Sequence, residues 1–452
     1  MNRAIVIGGG SDALVAAQVL ARAGREVMVI ESRGSSLEEG WVPPQVLREL
    51  KIEGLELDWP DPWLTVPLAD GGRLELRRDM ARSVEAIRRL STRDAERWPE
   101  FCERMARLAR FLEALYAAPP PDPLGPGFAL RARRLGRRGL ADLLRILPMP
   151  VAELLDDWFE SDALKGALGA AGVLHLLQGP RSGGTAFRLL HHHAGSPRGV
   201  FRPPRSNILE LLRKLPRVEL QGTEVLRIAV EGGAVTGVVL KDGRELAASL
   251  VVSSVDPRRC LLELVEPGWL DPELVRALRH VRRRGVAARI RLQLDRSPGF
   301  SALALAPSLD YLERAYDDAK HGRVSQHPYL EARCDESHRM EVLAQYVPYG
   351  ADCRDFSESI VALLGEQWGD AQPQHVEFLA PRELEEFEGW PQGQPHHAEL
   401  SLDQALWMRP VPELAHYRTP IEGLWLCGPA MHPGAGIAGA AGLHCAHAIL
   451  GR

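Results

Sequence analysis

Apolar residues recur along this chain with distinct spacings, and each spacing predicts a different kind of element. Short continuous runs at 4–7, 27–30 and 424–428 read as strands buried on both faces of a parallel sheet. Helical spacing covers 14–24, 81–117, 129–177 and a last stretch ending at Leu450, and Ser91-Thr-Arg-Asp-Ala-Glu supplies a start signal inside the second. Alternating runs at 218–220, 225–231, 234–240 and 245–252 predict strands joined by Gly232-Gly233 and Asp242-Gly243 hairpin turns. Further strands are expected at 63–66, around Gly71-Gly72, at 285–294 and at 341–349. Residues 118–127, with five prolines and two glycines, form a stiff loop that breaks the helical pattern.

Residues 1–31 combine these signals in one order: strand, glycine turn, helix, strand, acid. That order is a dinucleotide-binding βαβ unit. Gly8 permits the tight turn, Gly10 lets the backbone approach a pyrophosphate, and small Ala13 lets the helix pack close. Ser11 opens the helix, whose N-terminus faces the phosphates. Glu31, 21 residues after Gly10, is placed to accept hydrogen bonds from a ribose, with Ser32 beside it. Asp12 puts a carboxylate in this turn. It is expected to cap its own helix, because an acid aimed at the phosphates would weaken binding.

A second glycine-rich turn, Gly434-Ala-Gly-Ile-Ala-Gly, opens the last helix more than 400 residues later. Both ends of the chain are therefore expected to build one nucleotide domain. The expected fold is α/β, with a discontinuous Rossmann-like domain (1–80, 200–290 and 400–452) and an inserted α+β substrate or cap domain (81–199 and 291–399). At 452 residues, 45% apolar and 25% charged, the chain can bury a sizeable core. The net charge of -5 argues against a nucleic-acid partner, and the pattern assigns no oligomeric state. Six scattered cysteines without a CxxC pair suit a reducing compartment, so a cytoplasmic location is expected. The first apolar run is too short for a signal peptide.

Several stretches resemble the phytoene-desaturase-like FAD oxidoreductases, in particular the branch called pyridine nucleotide-disulfide oxidoreductase domain-containing protein 2. They are Ile5-Val-Ile-Gly-Gly-Gly, Asp156-Asp-Trp-Phe-Glu-Ser-Asp162, Gly179-Pro-Arg-Ser-Gly-Gly-Thr-Ala186, residues 308–320, Glu399-Leu-Ser-Leu-Asp-Gln404, Met408-Arg-Pro-Val-Pro412 and 424–442. The resemblance spans essentially the whole chain and implies a two-lobed flavoprotein of the amine-oxidase and desaturase type. It implies FAD, with Gly8, Gly10, Ser11, Asp12 and Ala13 at the pyrophosphate, Glu31 and Ser32 at the adenosine ribose, and the Val225 backbone at the adenine. Gly428 matches a pyrophosphate or ribityl contact, and Gly434, Gly436, Ile437 and Ala440 match the turn and helix start facing the flavin. Two segments depart from the family: Gly34-Ser-Ser-Leu-Glu-Glu-Gly-Trp41 and Phe201-Arg-Pro-Pro-Arg-Ser-Asn207 replace glycine-rich, flavin-facing turns.

The expected activity is hydride transfer from a small hydrophobic substrate to flavin. The alternatives are a non-catalytic scaffold relative, motivated by the two departures, and a redox-neutral isomerase. His432 is the one catalytic candidate, either handling a proton at the flavin or merely bracing its turn. His191-His-His193 is expected to line the cleft or serve structure, since three successive side chains cannot converge on one metal. Arg409 is expected in an ion pair, or else on an anion. The basic cluster 131–138 is expected to be a solvated face, the alternative being a peripheral membrane contact.

Overall fold

The computed structural model describes residues 3–32, 40–122 and 125–452. The continuous apolar runs become a five-stranded, all-parallel sheet in the order Leu424–Leu426, Leu250–Ser253, Arg3–Ile7, Glu26–Glu31, Glu219–Gly222. Ala4, Ile5 and Val6 are fully buried at its centre. Helices Ser11–Arg22 and Ala440–Leu450 lie against each other beside it, so the two ends of the chain do build one lobe. Their closeness depends on a missing side chain: a Cβ on Gly442 would stand 1.9 Å from the Asp12 carbonyl oxygen.

The run expected at 245–252 divides. Glu245–Ala247 pairs antiparallel with Ala234–Leu240, whereas Leu250–Ser253 turns into the parallel sheet beside Arg3–Ile7. Burial explains the division, because Leu250–Ser253 is buried throughout while Glu245–Ala247 is largely exposed. Val225–Glu231 and Ala234–Leu240 form the rest of this small sheet, and Gly232 and Gly233 both take positive φ (57° and 83°), as a tight hairpin needs.

The second lobe holds a seven-stranded sheet in the order Pro373–Leu379, Ala287–Leu294, Arg339–Gln345, Tyr329–Cys334, Ala302–Leu305, Leu64–Pro67, Arg73–Leu76. The hairpin at 64–76, grouped from the sequence with the nucleotide domain, is the edge of this other sheet. The strand Ala287–Leu294 likewise runs across the boundary drawn at 290. Helices Thr92–Tyr116, Val151–Trp158, Asp162–Val173 and Thr185–His193 cover it around an aromatic core of Trp63, Trp98, Phe101, Phe159 and Phe201. Ser91 caps the first of these helices by accepting from the Asp94 N–H. Helix Pro126–Ile146 carries the basic cluster. Arg133, Arg134, Arg137 and Arg138 on it are exposed, and so are Leu130 and Leu144. Among the described residues no helix is long and apolar enough to cross a membrane.

Candidate active site

A cavity of about 400 Å³ begins at the first glycine turn and runs past the C-terminal turn into the seven-stranded lobe. Gly8 makes the turn at φ +114°, where any Cβ would stand 2.1 Å from the Ser254 hydroxyl. Gly10 precedes helix Ser11–Arg22, and a Cβ there would meet nothing within 4 Å because the position opens on the cavity. Gly8, Gly10, Ser11, Asp12, Ala13, Ser32 and Val225 all line this end.

Asp12 does not cap its own helix; the N-cap is Gly10. Its Oδ1 accepts from the Gly442 N–H (3.3 Å), so the carboxylate serves the N-terminus of helix Ala440–Leu450. Burial raises its pKa to about 6 against the pull of the Gly442, Ala441 and Gly439 N–H groups. Glu31 is likewise engaged. Both its oxygens accept from Arg213 (2.8 and 2.7 Å), and its Oε2 lies so close over Gly9 that a Cβ there would be 1.7 Å away. Ile30 and Ser32, on either side of Glu31, line the cavity. Arg213, on Ile208–Lys214, had no local signature in the sequence.

The next wall is the C-terminal turn, where Gly434, Ala435, Gly436, Ile437 and Ala438 line the cavity. Gly428 sits behind that wall, with its Cα packed so that a Cβ would be 2.5 Å from the Ser254 carbonyl. Ala440 is also buried behind it, as the first residue of the last helix. The Trp41 N–H donates to the Gly436 carbonyl (3.0 Å) and the Trp41 carbonyl accepts from Ala438 (2.8 Å). Of the first departing segment, 34–39 lies outside the described residues, and Gly40 reaches the cavity. In the second, Pro203, Pro204 and Arg205 line the cavity, while Arg202 is buried and donates to both oxygens of Glu331 (3.0 and 2.9 Å). That segment is anchored on the seven-stranded sheet rather than looped as a glycine turn.

His432 is fully buried and is not part of the cavity wall. Its Nε2 reaches the carbonyls of Leu115 (3.3 Å) and Ala118 (3.2 Å), so it braces the end of helix Thr92–Tyr116. Burial lowers its pKa to about 3, so the ring stays neutral near pH 7 and its remaining N–H is committed to these carbonyls. Of the two roles open in the sequence, bracing is the one its contacts fulfil.

The histidine triplet diverges as helical geometry requires. His191 touches the Tyr116 hydroxyl (2.9 Å) and the Ala435 carbonyl (2.8 Å), His192 lines the cavity, and His193 donates to the Val200 carbonyl against Phe201. Arg409 forms neither an ion pair nor an anion contact among the described residues. It donates to the carbonyls of Glu399, Gln404, His396, Ala398 and Pro429 and so ties residues 396–404 to the segment just after the last strand. The inner wall also holds residues that no motif marked: Arg188, His175, His396 and His397, beside Leu174, Leu343 and Trp390. His175 takes φ +58°, a left-handed conformation held by Gln345, which accepts from its N–H, and Gln394, which donates to its carbonyl.

Against known proteins, the family model described as flavin containing amine oxidoreductase matches residues 41–450. The chain is 29% identical to pyridine nucleotide-disulfide oxidoreductase domain-containing protein 2 of Rattus norvegicus, over 99% of this chain and 93% of the relative. It is 28% identical to hydroxyneurosporene desaturase of Cereibacter sphaeroides, over 99% and 97%. Among solved structures, putrescine oxidase with bound putrescine superimposes over 100% of this chain and 99% of that one, with a TM-score of 0.63 at 16% identity. Cyclohexylamine oxidase from Brevibacterium oxydans does so over 99% and 97%, with a TM-score of 0.52 at 14% identity.

Proposed function

Since this chain belongs to the flavin containing amine oxidoreductase family, it is an FAD-dependent oxidoreductase acting on CH–CH or CH–NH groups, and we propose that it dehydrogenates a small substrate with an apolar body. The observation that carries this reading is the continuity of one cavity from Gly8–Ala13, past Gly434–Ala438, to an inner wall of Leu174, Leu343 and Trp390.

The residues present fit FAD. Gly10 leaves open space at the end of a helix whose first N–H groups and positive pole face it, and the turn at Gly434 and Gly436 opens a second helix beside the first. Glu31, fixed by Arg213, would meet the ribose, and the Gly434–Ala438 backbone would meet the ring system. Bound FAD supplies the hydride acceptor. The chain's own contribution is position and dryness. Ile437, Leu174, Leu343 and Trp390 exclude water, and the cavity histidines stay neutral because burial and the Arg188 charge press them down, His175 to about 3. These neutral imidazoles are therefore weak acceptors for a departing substrate proton.

An absorbance spectrum of the purified protein tests the reading. Visible flavin bands, FAD released on denaturation, and anaerobic bleaching by a CH–CH or CH–NH substrate are expected. A colourless protein that ignores added FAD would overturn it.

A further inference from the structure

Among the described residues three arginines are fully buried, and two of them are largely answered by the protein. Arg202 is met by both oxygens of Glu331 and by the Tyr329 hydroxyl, and Arg409 by five carbonyls that take both its Nη atoms and leave only its Nε without a partner. Arg188 is not answered. It is 1% exposed, sits on helix Thr185–His193 and lines the cavity. Its Nε donates weakly to the Leu174 carbonyl (3.4 Å), one Nη lies 3.5 Å from His396 Nδ1, and the other Nη has no hydrogen-bond partner. Among the described residues no carboxylate forms an ion pair with it. A guanidinium removed from water without a partner costs several kcal/mol, so a buried one left open toward a cavity needs an anion from outside.

Its neighbours have the matching chemistry. His175 and His396 pack ring to edge with centroids 5.1 Å apart, and His192 stands on the same helix as Arg188. The Nδ1 atoms of His175 and His192 are buried without partners. Glu331, the acid that acts on His175 through space, is already held by Arg202 and Tyr329. The cluster thus offers one cation without an acid partner and several imidazole nitrogens, and among the described residues no free anion faces them.

From this geometry we infer that Arg188, with His175, His192 and His396, forms a carboxylate-binding site at the inner end of the cavity. The substrate class is an amphipathic acid whose apolar body lies against Leu174, Leu343 and Trp390. The planar fork of the guanidinium suits the two oxygens of a carboxylate, and the imidazoles complete its hydrogen bonds. This substrate class rests on the dehydrogenase reading, since it is the dehydrogenated substrate that the site would orient. Arg188 is a binding residue; it takes no part in the bond changes.

The test titrates the protein as purified, with its flavin, against hexanoate and decanoate, their amides, and hexyl phosphate. It follows flavin absorbance together with tryptophan emission, to which Trp390 in the wall contributes. Saturable acid binding is expected, with the amides at least ~10-fold weaker, as the loss of a charged hydrogen-bonded pair requires. Arg188→Met should weaken acid binding by a similar factor at unchanged FAD content, with Arg188→Lys in between. Equal binding of acids and amides, or no binding of either acid, overturns the site, and so does an Arg188→Met protein that binds hexanoate like the parent. A preference for hexyl phosphate over both acids overturns the carboxylate assignment. Should Arg188→Met lose its fold, the acid and amide pairs on the parent protein still decide. A colourless protein that nevertheless binds acids by tryptophan emission would sink the dehydrogenase reading and leave the anion site standing.

Discussion

The carboxylate of Asp12 sits at a helix N-terminus, but at the one beginning with Ala440 rather than its own. Its pKa in the fold, about 6, lies above its ordinary 3.8. The stability linked to its neutral form is therefore full below 3.8 and is lost as pH rises through about 6. Asp12→Asn keeps the accepting oxygen and discards the charge. Thermal melts should then show the variant more stable than the parent at about pH 8, with the advantage shrinking toward about pH 5. Equilibrium dialysis should show FAD held a few-fold more tightly, since a negative charge on the cavity wall is gone. A variant uniformly less stable at both pH values would refute this account. At the same scale, Glu31 was legible as an acid ending a strand. Its partner Arg213 was not, because it lies 182 residues away and no spacing rule joins the two.

Elements add a constraint that single residues hide. Helices Ser11–Arg22 and Ala440–Leu450 bring their N-termini to one place only because Gly442 carries no side chain against the Asp12 backbone. Gly442→Ala should cost about 1–3 kcal/mol and loosen FAD, as overpacking does where backbone rather than a flexible side chain must move. Gly127→Ala, in a helix where a Cβ meets nothing within 4 Å, is the control and should be neutral or slightly stabilising. Urea unfolding of the two variants side by side checks the difference, and equal midpoints would remove the close-approach explanation. Strand and helix periods were readable at this scale, as was the Ser91 cap. What periodicity missed was partner choice. The 245–252 run contains two strands that serve different sheets, and the 64–76 hairpin pairs with Ala302–Leu305, more than 200 residues on.

Across the whole molecule, burial falls heavily on histidine. His175, His191, His192, His193, His396, His397, His432 and His444 all have pKa values lowered chiefly by desolvation, several of them to about 3 or 4. A depressed value in the fold against 6.5 unfolded means the linked stability is full above 6.5 and is lost as pH falls toward the folded values. Each group contributes up to ~1.4 kcal/mol per pH unit in that window. The melting temperature should therefore drop steeply between about pH 6.5 and 5, well above the range where exposed carboxylates titrate. Calorimetry over that range checks it, and a flat profile would falsify the claim that these rings fold neutral. The sequence by itself determined the dinucleotide turn, the periods of the elements and the meeting of the two chain ends, because those signals lie within some thirty residues of one another or repeat the same glycine chemistry. Only the tertiary structure decided that His432 braces a helix end instead of lining the cavity and that Asp12 caps a foreign helix. It alone left Arg188 without an acid. Those outcomes depend on which distant groups share a buried space, and desolvation is a property of that enclosure rather than of any local run of residues.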